Sequence, residues 1–214
     1  MRLDDRRRAL MPTSGTAPIL PPEYQQVEYV KNPLSGGAYF NTSVVYPDHF
    51  KIEVTAQKDS EPTNYDGIVC GYRGAGNKNY IAYRKQGGFV FAGAITTLNS
   101  DIGNQTEITA IYDGDRQITA KNSYGVDTIT EQGSANIDTS GELRVFWLGL
   151  AATQFSDGRI CDLTMSNNDT NTDVLHLIPC RRIADDVGGM YDIVNNAFYA
   201  STGTSAFVVG PDIN

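Results

Sequence analysis

The chain has 214 residues with a formal charge of −8 and a pI near 4.7. That length suits one large domain or one domain with an appendage, and an acidic chain lacks the positive surface that a nucleic-acid partner requires. A hydrophobic fraction of 40% is enough for a packed core, and 21 glycines suit many turns. No apolar run approaches the length of a membrane span, so membrane insertion is not expected. The first residues contain no apolar core of a signal peptide, so none is expected either.

Residues 1–20 differ in composition from the rest. Asp4 and Asp5 precede Arg6, Arg7 and Arg8, then come Leu10, Met11 and a Pro/Ser/Gly/Thr stretch. Early acids and later arginines match a short helix dipole, but so short a helix does not hold alone in water. The segment is therefore read as an N-terminal arm, either disordered or ordered by a partner, ahead of a domain over 21–214.

From Pro21 onward the pattern is β. Tyr24 to Lys31 alternates without a purely apolar face, whereas Phe50, Ile52, Val54 and Ala56 alternate cleanly with Lys51, Glu53, Thr55 and Gln57. The second pattern is that of a half-buried antiparallel strand. Short strands are expected at Ile68–Tyr72, Tyr80–Arg84 and Gly88–Ala92. Ile108–Tyr112 and Gln117–Ala120 flank Asp113-Gly114-Asp115, a strong hairpin signal. Leu143–Leu150 is apolar on both faces and reads as a central strand, with Trp147, the only tryptophan, in the core.

The last stretch holds three short apolar runs closed by turn residues. Leu177-Ile178 stops at Pro179, Met190 to Ile193 at Asn195-Asn196, and Phe198-Tyr199 at Ser201-Thr202-Gly203, before Phe207-Val208-Val209 closes the domain. Runs this short, aromatic and β-branched, are strands separated by tight turns. Gly188-Gly189 and Asn195-Asn196 are read as turn positions, because they tolerate positive φ. With no convincing amphipathic helix and no heptads, the fold expected is an all-β, two-sheet antiparallel jelly-roll sandwich.

Catalytic and metal motifs are sparse. No Glu-x-Asp-x-x-Glu strand is present and no Glu follows Glu142, so the carboxylate pair of a retaining glycosidase is missing. His49 and His176 stand beside no Gly-x-Ser-x-Gly elbow, and surface or structural roles are expected. Cys70, Cys161 and Cys180 lack CxxC spacing and are read as buried free thiols. Asn167-Asn168-Asp169-Thr170-Asn171 is oxygen-rich but lacks a calcium-loop spacing, so a polar turn is expected and no metal or cofactor is assigned. Gly71 to Tyr80 lacks the Gly-Lys-Ser/Thr of a P-loop and reads as a flexible hairpin tip. Its Tyr72, Arg73, Asn77, Asn79 and Tyr80, with Tyr65 nearby, are residue types that stack on pyranose rings and meet hydroxyls, making this the candidate contact loop.

Three blocks carry a resemblance. LPPEYQQVEYVKNPLSGGAYFNTSV from Leu20, FSDGRICDLTM from Phe155 and IPCRRIADDVGGMYDIVNNAFYASTGTSAFVVG from Ile178 together bracket roughly residues 20–210. They resemble the opening, penultimate and closing segments of phage and prophage virion appendage proteins with a concanavalin A-like (laminin-G-like) jelly roll. The opening block departs at Pro33-Leu34-Ser35-Gly36-Gly37, where those proteins carry a Ser-Thr-Gly-Thr-Gln turn. The resemblance implies a tail- or head-fibre appendage, assembled in the bacterial cytoplasm and carried on the virion, that attaches to host-surface carbohydrate. It also implies a homo-oligomer, a trimer before a dimer, held to other virion proteins by Arg6, Arg7, Arg8, Leu10 and Met11 of the arm. A ligand-free capsid or tail decoration is the alternative, and a glycan-degrading enzyme a weaker one; no catalytic role is expected.

Overall fold

The computed structural model describes residues 20–33, 37–59, 67–73, 78–83, 89–91, 94–95, 105–132, 137–146 and 158–213. In chain order the strands are β1 (Tyr24–Gln26), β2 (Val30–Lys31), β3 (Phe40–Val45), β4 (Phe50–Lys58), β5 (Gly67–Arg73), β6 (Lys78–Tyr83), β7 (Phe89–Phe91), β8 (Ala94–Ile95) and β9 (Gln105–Tyr112). They continue as β10 (Arg116–Asn122), β11 (Gly125–Glu131), β12 (Glu142–Val145), β13 (Gly158–Asn167), β14 (Thr172–Arg182), β15 (Val187–Asp192), β16 (Ala197–Ala200) and β17 (Val208–Val209). No helix occurs among the described residues, and hence none that is long and apolar enough to cross a membrane.

The strands form two antiparallel sheets. The larger runs β11-β10-β9-β4-β13-β14-β15-β16, with β1 on β14 and β2 between β13 and β17. The smaller runs β3-β12-β5-β6-β7-β8. Apolar side chains from both meet in one core, Phe50, Ile52, Val54, Ile108, Leu163 and Leu177 from the larger sheet facing Phe40, Cys70, Ile81, Phe91, Leu143 and Val145 from the smaller. Each large side chain fully buried here contributes about 1.5–3 kcal/mol. Phe50, at the start of β4, is edge-on to Tyr46 at 5.0 Å and to Phe91 at 6.1 Å. The two-sheet, all-β jelly-roll-type sandwich read from the sequence is the observed architecture.

β4 keeps the expected faces: Phe50, Ile52, Val54 and Ala56 are buried while Glu53 is exposed. The Asp113–Asp115 hairpin also forms, with Gly114 at φ 104°. Other expectations are corrected. β14 does not stop before Pro179 but runs through it. β13 pairs with β14 up to Leu177, and β1 takes over from Cys180. The proline therefore falls where the partner changes and no ladder N–H is needed. The expected strand Leu143–Leu150 ends at Val145, because Phe146 turns the chain with φ 59°; Trp147 lies outside the described residues. Tyr24 to Lys31 is split into β1 and β2, which pair with different neighbours.

Gly188 and Gly189 are not turn residues. They lie inside β15, where a Cβ on Gly188 would sit 2.3 Å from Val209 Cγ1 and one on Gly189 2.3 Å from the Tyr199 carbonyl oxygen and 2.8 Å from the Phe198 ring. What these positions require is space, not positive φ. Left-handed geometry falls instead in the turns on either side of β15, at Asp186 (φ 62°) and Asn196 (φ 53°).

The opening and closing segments of the sandwich lie together. β17 pairs with β2, Val27 bridges to Asp212, and Ile213 N–H donates to the Gln26 carbonyl. Because Tyr24 lies opposite Arg182, at the end of β14, residue 20 leaves from that end of the sandwich. The turns 46–49, 113–115, 168–171 and 193–196 lie at the other end, as does the Arg73–Lys78 end of the β5–β6 pair. We call this the far end.

Candidate functional site

The far end gathers most of the polar features singled out from sequence. β5 and β6 pair from Gly67–Tyr83 to Arg73–Lys78, so the strands reach further toward the tip than a flexible Gly71–Tyr80 loop would allow. Tyr65 and Asn77 lie outside the described residues, as do Arg6, Arg7, Arg8, Leu10 and Met11; for Arg73 the structure gives the backbone alone. Tyr72, Asn79 and Tyr80 are described, and alternation divides them.

Cross-strand partners share a face. Tyr72 lies opposite Asn79, and both point toward the core; Tyr80 lies opposite Gly71 and points away. Gly71, at φ 151°, must be glycine because a Cβ there would stand 2.3 Å from Tyr80 Cβ. The Tyr72 ring lies against Gly141, where a Cβ would come within 2.3 Å of ring carbons, and the Arg144 guanidinium carbon sits 5.5 Å from the ring centroid. Asn79 is fully buried, and neither its Oδ1 nor its Nδ2 has a hydrogen-bond partner. The expectation of a surface amide at Asn79 is therefore corrected: in a strand of period two, its register with Tyr72 turns it inward.

Tyr46 follows β3 and closes the same end of the core. Its N–H donates to the Gly141 carbonyl (3.3 Å), and its buried hydroxyl has no partner. Burial first, and the nearby Cys70 second, push the Tyr46 phenol well above its ordinary value, with Arg144 opposing. On β3 itself the Asn41 amide donates to the Glu142 carboxylate of the neighbouring β12.

On the larger sheet, His49 Nδ1 lies 2.9 Å from Asp169 Oδ1, and its ring meets Tyr112 edge-on at 6.2 Å. The hydrogen bond and charge of Asp169 raise the His49 pKa. Asn167 Oδ1 accepts the N–H groups of Asp169 (2.9 Å) and Thr170 (3.2 Å), and Asn171 takes φ 51°. The oxygen-rich stretch thus caps its own turn, and Asp169 is engaged by His49. Among the described residues no three of His, Cys, Asp and Glu gather to hold a metal.

His176 Nε2 lies 3.1 Å from Asp162 Oδ2, an interaction that raises the histidine pKa against partial burial. The residue that sequence reading missed is Asp192. It is fully buried, and its Oδ1 accepts from the N–H groups of His176, Val194 and Asn195 at 3.0–3.3 Å while Oδ2 accepts from Asn195 Nδ2 at 2.6 Å. The only signal was its place before the Asn195-Asn196 turn. Cys70 and Cys180 are buried, and Cys161 is partly exposed, correcting the expectation of three buried thiols. Desolvation pushes all three thiols up to about 12.

No family model matches the chain, and no curated protein sequence matches it. Among solved structures it is similar to a native heptameric SAP-like pentraxin from Limulus polyphemus, with a TM-score of 0.51 at 8% identity, over 90% of this chain and 97% of that one. A scytalido-glutamic peptidase with a transition-state-analogue inhibitor is matched over 84% of this chain and 89% of that one, at 10% identity and a TM-score of 0.27, too low to carry an argument. The shared property is the fold: this chain has the jelly-roll sandwich of a pentraxin.

Proposed function

We propose that the chain is a bacteriophage virion appendage protein, of head or tail, whose sandwich attaches the particle to host-surface glycans. In this reading residues 1–20 dock into another virion protein, and the far end of the sandwich faces the host. The observation that carries it is the placement of the two ends: residue 20 departs beside Arg182, while the β5–β6 tip and four turns lie at the opposite end. A docked arm would therefore direct those turns outward. The blocks that resemble appendage proteins also coincide with the sandwich itself. The contact loop retains Tyr65, Tyr72, Arg73, Asn77 and Tyr80, with Tyr72 and Tyr80 on opposite faces of the hairpin and Asn79 behind them. The pentraxin of the same fold is a heptamer, in keeping with a homo-oligomer; a trimer before a dimer is what the appendage resemblance implies here.

A shallow site excludes little water, so each copy should bind at about millimolar affinity, roughly −4 kcal/mol. Several copies on one particle would raise avidity by about 10²- to 10⁴-fold. A glycan array and host-cell assay with the intact oligomer, beside a Tyr72→Ala, Tyr80→Ala variant, tests the site. Absence of binding by the intact oligomer would put the ligand-free decoration first; binding that survives both substitutions would remove this loop. Deleting residues 1–17 should leave a folded domain that no longer joins particles, and normal incorporation would refute the anchor.

A further inference from the structure

The far end of the core holds polar groups that packing alone does not require. Asn79, fully buried, has two amide hydrogens and a carbonyl oxygen without partners, and the buried Tyr46 hydroxyl has none either. Buried polar groups are almost always hydrogen-bonded, and one left unpaired costs free energy that a leucine or phenylalanine at the same place would not. Both residues belong to one end of the core. Tyr46 is bonded to Gly141, Tyr72 lies on Gly141, and Asn79 is the cross-strand partner of Tyr72. Phe50 lies against Tyr46, and Phe91 against Phe50. Tyr72, the cross-strand partner of Asn79, is itself only half-buried.

We propose that Asn79 and Tyr46 form a recognition site for the acetamido group of an N-acetylated sugar, reached when the Tyr72 ring turns aside. A primary amide offers a donor and an acceptor side by side, the complement of a secondary amide, whose carbonyl accepts and whose N–H donates. Tyr46 supplies a further hydroxyl, and the rings of Phe50 and Phe91 suit the acetyl methyl. This inference rests on the glycan-binding reading and deepens it by naming the sugar class. A neutral sugar lacking the acetamido group leaves Asn79 unpaired, and a site built around a hydrogen bond discriminates strongly against such an analogue.

The test compares binding of the N-acetylglucosamine trisaccharide with that of a glucose trisaccharide to the intact oligomer, by titration followed in NMR spectra. Wild type should prefer the acetylated sugar by about tenfold or more, the worth of one good hydrogen bond. Asn79→Leu should lose that preference and be no less stable than wild type, since it removes an unpaired buried amide. Tyr46→Phe, which keeps the ring, should weaken the preference and covers the case in which Asn79→Leu does not fold. Equal binding of the two sugars by wild type would overturn this inference and leave glycan attachment standing. A preference that persists in both variants, or a marked destabilisation of Asn79→Leu with preference intact, would also overturn it. Binding of neither sugar would also overturn this inference, while the glycan array and host-cell assay decide attachment separately.

Discussion

Replacing Asp192 with alanine probes the far-end turn most sharply. The carboxylate accepts four hydrogen bonds, three from backbone N–H groups and one from the Asn195 amide. A hydrogen bond to a charged group contributes about 1.5–3 kcal/mol, so simple addition would give roughly 6–12 kcal/mol. The structure argues for much less. Val194 and Asn195 are exposed, so water replaces the carboxylate for their donors, and only the half-buried His176 N–H loses its partner outright. We expect Asp192→Ala to cost about 3 kcal/mol, lowering Tm by roughly 6–12 °C for a chain of this size. Asp192→Asn, which keeps the shape but turns an amide toward donors, should fall between the two. Urea unfolding of the three proteins, with matched m-values, measures this. A loss below about 1 kcal/mol for Asp192→Ala would refute the assignment of Asp192 as the post of this turn.

Gly189→Ala should destabilise by about 1–3 kcal/mol, because the new Cβ meets the Tyr199 carbonyl at 2.3 Å and backbone cannot move aside; thermal melts report it, and an unchanged Tm would show that β15 and β16 are further apart. His176 gives a pH dependence. Its folded pKa is raised above the ordinary 6.5 mainly by the Asp162 hydrogen bond, so its contribution is complete below about 6.5 and is lost as pH rises through the folded value. Stability should therefore fall as pH rises from about 6.5 through the raised folded value, and Asp162→Asn should flatten that slope in urea titrations; an unaltered slope would rule the pair out. The thiols of Cys70, Cys161 and Cys180, pushed to about 12 by desolvation, should alkylate slowly at pH 8 and rapidly in denaturant, as mass spectrometry would record.

Much of the architecture was legible because strand period and turn chemistry are local. Phe50 to Gln57 declares its faces within eight residues, and Asp113-Gly114-Asp115 its own reversal. The features that sequence left hidden depend on partners distant in the chain. Pro179 can sit within a strand because β1, more than 150 residues earlier, takes over the pairing beside it. The requirement at Gly189 is set by Phe198 and Tyr199 on the next strand. Asn79 reads as a surface amide by residue type, and its inward direction is fixed by the bulged register between β5 and β6. Asp192 looks like any turn acid until His176 N–H is seen to reach it.

The central claim is directional: the arm holds one end of the sandwich and the far end meets the glycan. Two immobilised forms test it, one tethered through residue 1 and one through a Thr170→Cys thiol in the far-end turn. Thr170 is exposed, and its new thiol would react ahead of the desolvated native ones. Host cells or a glycan surface should be captured by the arm-tethered form and not by the Thr170-tethered form. Equal capture by both, or capture by the Thr170-tethered form alone, would contradict the account.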